Sequence, residues 1–552
     1  MINRVLVIGL DSAPLGLLEP WIAAGKLPNL GRLIAQGATG VLNSSFPPLS
    51  PAAWSSFATG MHPGKHGVLD HGYRQAGTYK IVPTNARRRG GATLWQLLGQ
   101  AGKRVGVINV PETYPPSPVN GFLITGMTTP SDDADWCYPA SLAAELKQAM
   151  GGYRVFGVRS KENLDRSLAG MHQTIPLRMQ AASYLWEQHQ PHFMILVFME
   201  TDVVQHKTWK YMDPSHPQHS RYGNAILDIY RRIDEHLPLL LEQVDDETAV
   251  IIMSDHGAGP IDKWLNLNSW LLRENFLRLK PEWPSRLRHL AFRLGLTPNN
   301  AYRLASALRL GLVDKAADKA KREASIQRAN PMMGLFLSFN DVDWGQTRAY
   351  TLGGNLTGIW INLQGREPHG AVSPGAEYEQ VRDELIDRLR ELRDPDTGQA
   401  IATAIHRREQ VYHGPYLERA PDVIFETLDE QYVGFGSQEF TTNAIMEPSP
   451  LFSGCHRRAG MVALHGKPFR PGARLAEHQI VDLSPTILHL LGCSVPADID
   501  GRVMVEALTA GYRQAHPISI AGQAWKPAED QAGFSPEEEN KVSERLRDLG
   551  YL

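Results

Sequence analysis

Short apolar runs that each close on an acidic residue dominate the pattern along this chain. Val5-Leu6-Val7-Ile8-Gly9-Leu10 meets Asp11, the run 193–198 leads to Asp202, and the run 249–253 leads to Ser254-Asp255-His256. Apolar runs of this length without alternation predict strands buried on both faces, as in a parallel sheet covered by helices. Helical patterns at 29–36 and 223–244 supply crossovers between such strands. A fourth strand, 104–108, ends at Asn109. In sheets of this kind ligands gather at the carboxyl ends of the strands, so carboxylates at three strand ends point to one shared site. The expected class is α/β, a mostly parallel sheet sandwiched by helices.

Two later segments differ in character. Residues 266–345 read as a basic helical insertion, with Arg286, Arg288, Arg293, Arg303, Arg309, Lys315, Lys319, Lys321, Arg322 and Arg328 against few acids. Residues 346–444 read as an α+β cap: a strand at 358–363, a long helix at 377–393 and a strand at 421–426. The core is then expected to comprise 1–265 and 445–510, and the tail 511–552 to carry a docked helix that begins at Ser535-Pro536-Glu537-Glu538-Glu539. In the stretch 284–328, leucines interleave with arginines. A solvated basic cap face is the favoured reading; contact with an anionic membrane surface or a polyanionic substrate is the alternative.

Composition narrows the class further. The 552 residues suggest about three or four domain-sized units. With 42% hydrophobic and 21% charged residues, the chain is globular rather than disordered. Fifty-six Lys and Arg against 59 Asp and Glu give a net charge of −3, which offers no argument for a nucleic-acid polymer as partner. Cys137, Cys455 and Cys493 lie far apart and form no CxxC, which excludes a disulfide scaffold and a cysteine-based zinc module. The apolar run that stops at Asp11 is too short for a signal sequence or a membrane span, so a cytoplasmic protein is expected.

The chemistry-bearing residues begin with Asp202 and His206, one helical turn apart on one face and so at metal-chelating spacing. Alone that spacing is common. Asp255-His256-Gly257 directly after a buried strand suits the edge of a metal site, or equally an Asp cap beside a solvated His. Ser50-Pro51 opens a helix that Gly60 stops, with Ser50 expected as N-cap. Ser50 is then either a simple cap or a nucleophile whose target phosphate rests on the free N–H groups of the helix start. A serine hydroxyl needs a base or a metal to activate it, and no GxSxG elbow accompanies this one.

The order Gly9-Leu10-Asp11, Ser50-Pro51-x-x-Trp54-x-x-Phe57-x-Thr59-Gly60-x-x-Pro63-x-x-His66-Gly67, Asp202-x-x-x-His206, Ser254-Asp255-His256-Gly257 and Gly454-Cys455-His456 resembles the type I phosphodiesterase/nucleotide pyrophosphatase family of the alkaline phosphatase superfamily. The resemblance continues through Thr93-Leu94-Trp95, Ile108-Asn109-Val110-Pro111 and Leu483-Ser484-Pro485-Thr486, and is weakest in the basic insertion. It implies two divalent metal ions, one held by Asp202, His206 and His456, the other by Asp11, Asp255, His256 and the hydroxyl of Ser50. Nitrogen and oxygen ligands without thiolate favour zinc, with manganese or iron as alternatives. The implied reaction is hydrolysis of a small phosphodiester or pyrophosphate through a phosphoserine intermediate on a metal-activated Ser50. A phosphomonoesterase, phosphonate hydrolase or phosphotransferase is the runner-up, and a non-catalytic binding protein comes last.

Two departures bear on the substrate. The family's nucleotide pyrophosphatases usually carry Thr where this chain has Ser50, which leaves the chemistry intact. Where they place a phosphate-binding Asn after His-Gly-x-x-Asp, this chain has His71, which could donate to the same oxygen or be a plain loop histidine. Asn109, at the end of its own strand, is a candidate substitute donor. Trp54 reads as core, His66 as structural, and Cys455 as a packed small residue.

Overall fold

The computed structural model describes residues 2–156, 163–301, 333–354, 357–436, 440–449, 452–529 and 533–548. Nine strands build the main sheet: β1 (Arg4–Leu10), β2 (Ala38–Asn43), β3 (Val105–Val110), β4 (Gly121–Thr125), β5 (Cys137–Tyr138), β6 (Phe193–Phe198), β7 (Thr248–Met253), β8 (Ala459–His465) and β9 (His478–Gln479). Their spatial order is β9-β2-β8-β7-β1-β6-β3-β4-β5. Strands β7, β1, β6, β3 and β4 run parallel, while β8 and β5 oppose their neighbours. Every residue of β6 and β7 is buried, which is why these runs show no alternation in sequence. Leu10 pairs with Phe198 and Gly9 with Met253, so the three central strands end level with one another. That register sets Asp11, the turn into Asp202 and Asp255 along one edge.

Helices flank the sheet as expected, with one difference. The helical pattern over 223–244 forms two helices, Ala225–His236 and Pro238–Leu241, broken at Leu237. Pro238 has no N–H to donate, so it starts a helix where it could not continue one.

The cap has its own core. Strands Ala349–Tyr350, Gly358–Ile361, Val423–Thr427 and Ala402–Arg407 form an antiparallel sheet in that spatial order. The helix Ala376–Glu391 packs on it through Val381, Leu385 and Leu389. A second small sheet joins cap to core: Lys263–Asn266 lies between Tyr432–Gly436 and Met446–Pro448. Of the basic insertion, the helix Trp283–Arg293 buries Phe292 and pairs Arg288 with Asp341, while Trp283, Leu287 and Leu290 face outward. Arg303, Arg309, Lys315, Lys319, Lys321, Arg322 and Arg328 lie outside the described residues. Among the described residues no helix is long and apolar enough to cross a membrane.

The tail helix, Pro536–Asp548, docks on the core. Ser535 and Glu538 exchange the two bonds of a capping box, Ser535 N–H to Glu538 Oε2 (2.7 Å) and Glu538 N–H to Ser535 Oγ (3.3 Å). Val542 and Leu546 are fully buried, and the Arg545 guanidinium lies 3.8 Å from the Phe156 ring centroid.

Candidate metal centre

The central strands deliver their carboxylates as their sequence pattern anticipates. Asp11 follows β1 and its N–H donates to Phe198 O (3.1 Å). Asp202 sits in the first turn of the helix Glu200–Thr208, which begins right after β6, and His206 lies one turn later on it. Asp255 and His256 follow β7. His456 arrives from far along the chain on the strand Gly454–Arg457, paired antiparallel to Gly257–Pro260 with Ala258 opposite it. All of these side chains are buried, Asp11, Asp202, Asp255 and His256 completely.

Ser50 is the first residue of the helix Ser50–Thr59, not its N-cap; Leu49 holds that place and no side chain caps the helix. The hydroxyl turns instead toward the cluster, 3.4 Å from Asp11 Oδ1 and 3.2 Å from His256 Nε2. Those partners compete with the role of local cap that the sequence predicts for this serine. Gly60 ends the helix as expected, at φ +67° with its N–H on Ser56 O.

Hydrogen bonds fix the ring orientations. His206 Nδ1 faces Gly454 O (2.8 Å) and must therefore carry a proton, so that the neutral ring has its lone pair on Nε2. That Nε2 lies 3.2 Å from Asp202 Oδ1 and 3.0 Å from His456 Nε2. His256 Nδ1 likewise donates to Gly257 O (3.1 Å), which aims the lone pair of its Nε2 at Asp255 Oδ2 (3.2 Å) and at Asp11 Oδ1 (3.7 Å). Asp255 Oδ2 is buried and accepts no hydrogen bond from the described residues. Lone pairs facing one another across such gaps repel unless a cation lies among them. Two overlapping groups converge closely enough to hold one, Asp202–His256–His456 and Asp11–Asp255–His256. The donor set therefore fits hard or borderline divalent metals bound through nitrogen and oxygen.

Without a cation the charges are strained. Burial, then the nearby Asp255 and Asp202, holds the Asp11 carboxyl well above the usual range. Burial pushes Asp255 up to about 7 and drives His256 and His456 down to about 4. Burial opposes ionisation of Asp202 as well, but His206 and His456 beside it outweigh that and hold its carboxyl low. Cys455 is no ligand of the thiolate kind: burial lifts its thiol to about 11, which keeps it protonated.

Several positioning residues escape a reading of sequence alone. The indole N–H of Trp54 donates to Asp11 Oδ2 (2.8 Å), so a ring read as core also orients a carboxylate. Gly9 makes room for it, since a Cβ there would lie 2.6 Å from the Trp54 ring. Ser12, at φ +63°, donates its N–H to Asp255 Oδ1 (3.1 Å), and Thr201 Oγ1 donates to Asp11 O (2.6 Å). The spacing of Trp54 from Ser50 is the one signal that could have flagged the indole.

The two candidate substrate contacts fare differently. His71 is fully buried, and its imidazole is held well below the ordinary value, by burial first and then by His456. Asp202, His256 and His206 act on it too, so it belongs to the electrostatic neighbourhood of the cluster. Asn109 does not join the cluster through any described contact. Its Nδ2 donates to Thr125 O (3.0 Å) and its Oδ1 accepts from the Tyr153 hydroxyl, at a backbone φ of +58°. His66 is bound to Ser56 Oγ (3.0 Å) and to Val68 N–H (3.2 Å), a structural role.

The mostly parallel sheet flanked by helices, with acidic and imidazole side chains at its carboxyl end, is an alkaline-phosphatase-like fold. Solved structures of similar fold include phosphonoacetate hydrolase from Sinorhizobium meliloti 1021 with phosphonoformate, at 17% identity over 88% of this chain and 94% of that one, with a TM-score of 0.53. The same enzyme with phosphonoacetate matches at 16% identity and a TM-score of 0.52, with 88% and 94% covered. Human ectonucleotide pyrophosphatase/phosphodiesterase 5 matches at 13% identity and a TM-score of 0.49, over 92% of this chain and all of that one. No curated protein sequence matches the chain significantly. The family model of type I phosphodiesterases/nucleotide pyrophosphatases matches residues 5–444, and the chain belongs to that family. It is therefore a hydrolase of the phosphoester class.

Proposed function

We propose that the protein hydrolyses small phosphodiesters or pyrophosphates, with Ser50 as nucleophile and two divalent cations, zinc first among them, as cofactors. The observation that carries this reading is the Ser50 hydroxyl, buried at a helix start within 3.2 Å of His256 Nε2 and 3.4 Å of Asp11 Oδ1. Asp202, His206 and His456 would hold one ion; Asp11, Asp255, His256 and Ser50 Oγ would hold the other. When bound, the ions lower the pKa of the hydroxyl and offset the charge of the carboxylates and of the incoming phosphate.

The chain's own residues do the rest. Asp11, fixed by Trp54, and His256, fixed by its bond to Gly257, hold Ser50 Oγ in place for attack on phosphorus. The Ser50 O–P bond forms as the bond from phosphorus to the leaving oxygen breaks, and the serine proton passes to solvent. Free N–H groups at the first turn of the Ser50–Thr59 helix and the positive end of its dipole face the phosphoryl oxygens. Water then cleaves the phosphoserine and returns the proton to Ser50.

His71 favours a second reading. An imidazole in place of an amide beside the cluster suits a more anionic ester, such as a phosphomonoester or a phosphonate. The test compares the metal-loaded protein on bis-p-nitrophenyl phosphate and p-nitrophenyl phosphate. The diester is expected to be cleaved faster, and Ser50→Ala to abolish turnover while metal content measured by atomic emission stays mostly intact. Wild-type turnover in Ser50→Ala would remove the nucleophile assignment, and monoester preference would move the assignment to the second reading.

A further inference from the structure

Between core and cap lies a polar cavity of about 240 Å³ that the metal ligands do not enter. Ser44, Phe46, His62, His406, Glu426 and Arg458 are among its lining residues. A smaller cleft of about 60 Å³ shares Phe46 and Glu426 with it and reaches Leu49 and His456. The inner cleft thus touches one residue of the metal centre and borders the outer cavity at two shared residues.

Glu426 and Arg458 line the outer cavity, and Glu430 lines the inner cleft beside it. Glu426 is answered by His406 Nε2 at 2.9 Å. Glu430, which lines the inner cleft, accepts the backbone N–H of Arg458 with both carboxylate oxygens (3.1 and 3.0 Å). Arg458 is partly exposed and its charge acts on Glu430, but its Nε is buried with no hydrogen-bond partner among the described residues. Ser44 is 1% exposed, and its Oγ is likewise buried without a partner. The two are neighbours: Ser44 N–H donates to Arg458 O (2.9 Å), which continues the antiparallel pairing of β2 with β8 and sends both side chains to one face of the sheet. A buried guanidinium N–H and a buried hydroxyl without partners cost stability unless something accepts from them.

We propose that this cavity is a subsite for a second anionic group, a carboxylate or a phosphate, carried on the organic part of the phosphoryl substrate and bound by the Arg458 guanidinium and Ser44 Oγ. Arg458 follows His456 by two residues, about 7 Å of extended chain, and Ser44 precedes Ser50 by six in the sequence. Each side chain is thus tied by a short backbone segment to a residue of the metal centre. A substrate with its phosphorus at Ser50 could lay its organic arm through the inner cleft past Phe46, with the second anion reaching Arg458. The identity of the reacting group rests on the function proposed above; the anion subsite does not.

The test uses the full-length, metal-loaded protein with Arg458→Gln and, separately, Ser44→Ala. Turnover is compared on bis-p-nitrophenyl phosphate and on p-nitrophenyl diesters whose other arm ends in a carboxylate or a phosphate. Arg458→Gln is expected to raise KM for an anion-ended diester at least tenfold more than for bis-p-nitrophenyl phosphate, and Ser44→Ala to do the same more weakly. Equal losses on all substrates would overturn the proposal. Glutarate and inorganic phosphate, titrated by calorimetry, give a readout free of catalysis. Binding at least tenfold weaker in Arg458→Gln supports the subsite even if no diester is cleaved, an outcome that would remove the phosphodiesterase reading alone. Unchanged binding of both probes in an inactive protein overturns the subsite. The anion that loses more affinity tells a carboxylate-bearing substrate from a phosphate-bearing one.

Discussion

Without the proposed cations Asp255 is expected to be a liability to stability, with a pH dependence of defined sign. Burial carries its carboxyl from the ordinary 3.8 up to about 7. In the metal-free protein the folded state therefore keeps a proton between about pH 4 and pH 7 that the unfolded chain has already released. Stability falls as pH rises through that window and levels off above it. A span of about three pH units at 1.4 kcal/mol each comes to about 4 kcal/mol. Other carboxylates titrate in the opposite sense: salt-bridged Asp422 and Asp500 are held low and gain stability as pH rises. A comparison with Asp255→Asn isolates the effect, because Asn mimics the protonated acid and its Oδ1 can still accept from Ser12 N–H. Urea unfolding of the chelated proteins is expected to show wild type and variant alike near pH 4.5. By pH 8 wild type is expected to be weaker by about 4 kcal/mol, an upper figure because Asp11 and the histidines relax alongside. Zinc should reverse the order, since wild type alone then has its full ligand set. Parallel curves for the two metal-free proteins from pH 4.5 to 8 would refute the reasoning.

Other expected outcomes follow from single contacts. Trp54→Phe removes the N–H that orients Asp11 but keeps most of the packing; metal affinity measured by competition with a chromophoric chelator should fall about 10–100-fold, with a stability loss of about 1–3 kcal/mol. Gly9→Ala places a methyl 2.6 Å from the Trp54 ring, and thermal unfolding should report a loss of about 1–3 kcal/mol from overpacking. Leu546→Ala empties a fully buried site beneath the tail helix. It should cost about 2–5 kcal/mol in denaturant unfolding, with little effect on metal content.

The strand-end carboxylates were the most legible part of the site, because a fully buried strand and the polar residue that stops it are both local features. Asp11, Asp202 and Asp255 could be placed from pattern alone, and His206 followed from helical spacing. His456 could not; it sits on a short strand whose partner, Gly257–Pro260, lies about 200 residues earlier, and only resemblance to a family pointed to it. Ser50 was displaced by one position relative to its helix, since propensity rules for caps do not know that two buried acceptors lie across the cleft. Trp54 and Ser12 were invisible for a related reason: a buried indole and a strained serine look ordinary until their partners are seen. The Leu237 break would have been found had Pro238 been weighed against the helical period around it.

The separation of His256 from His456 also orders events during synthesis. At about 5–20 residues per second, the roughly 200 residues between them take on the order of 10–40 s to emerge. During that interval β7 has been made but β8, its neighbour in the finished sheet, has not. A nascent chain at this stage carries three carboxylates without their full histidine complement and a bare apolar strand edge, the feature that invites pairing with other chains. The cap, with a core of its own, can meanwhile fold while its tether to the ribosome is still lengthening. Arrival of the strand bearing His456 and then β8 closes the edge and completes the proposed ligand set within twelve residues of chain. Quality control and metal loading would then be gated by the same short segment.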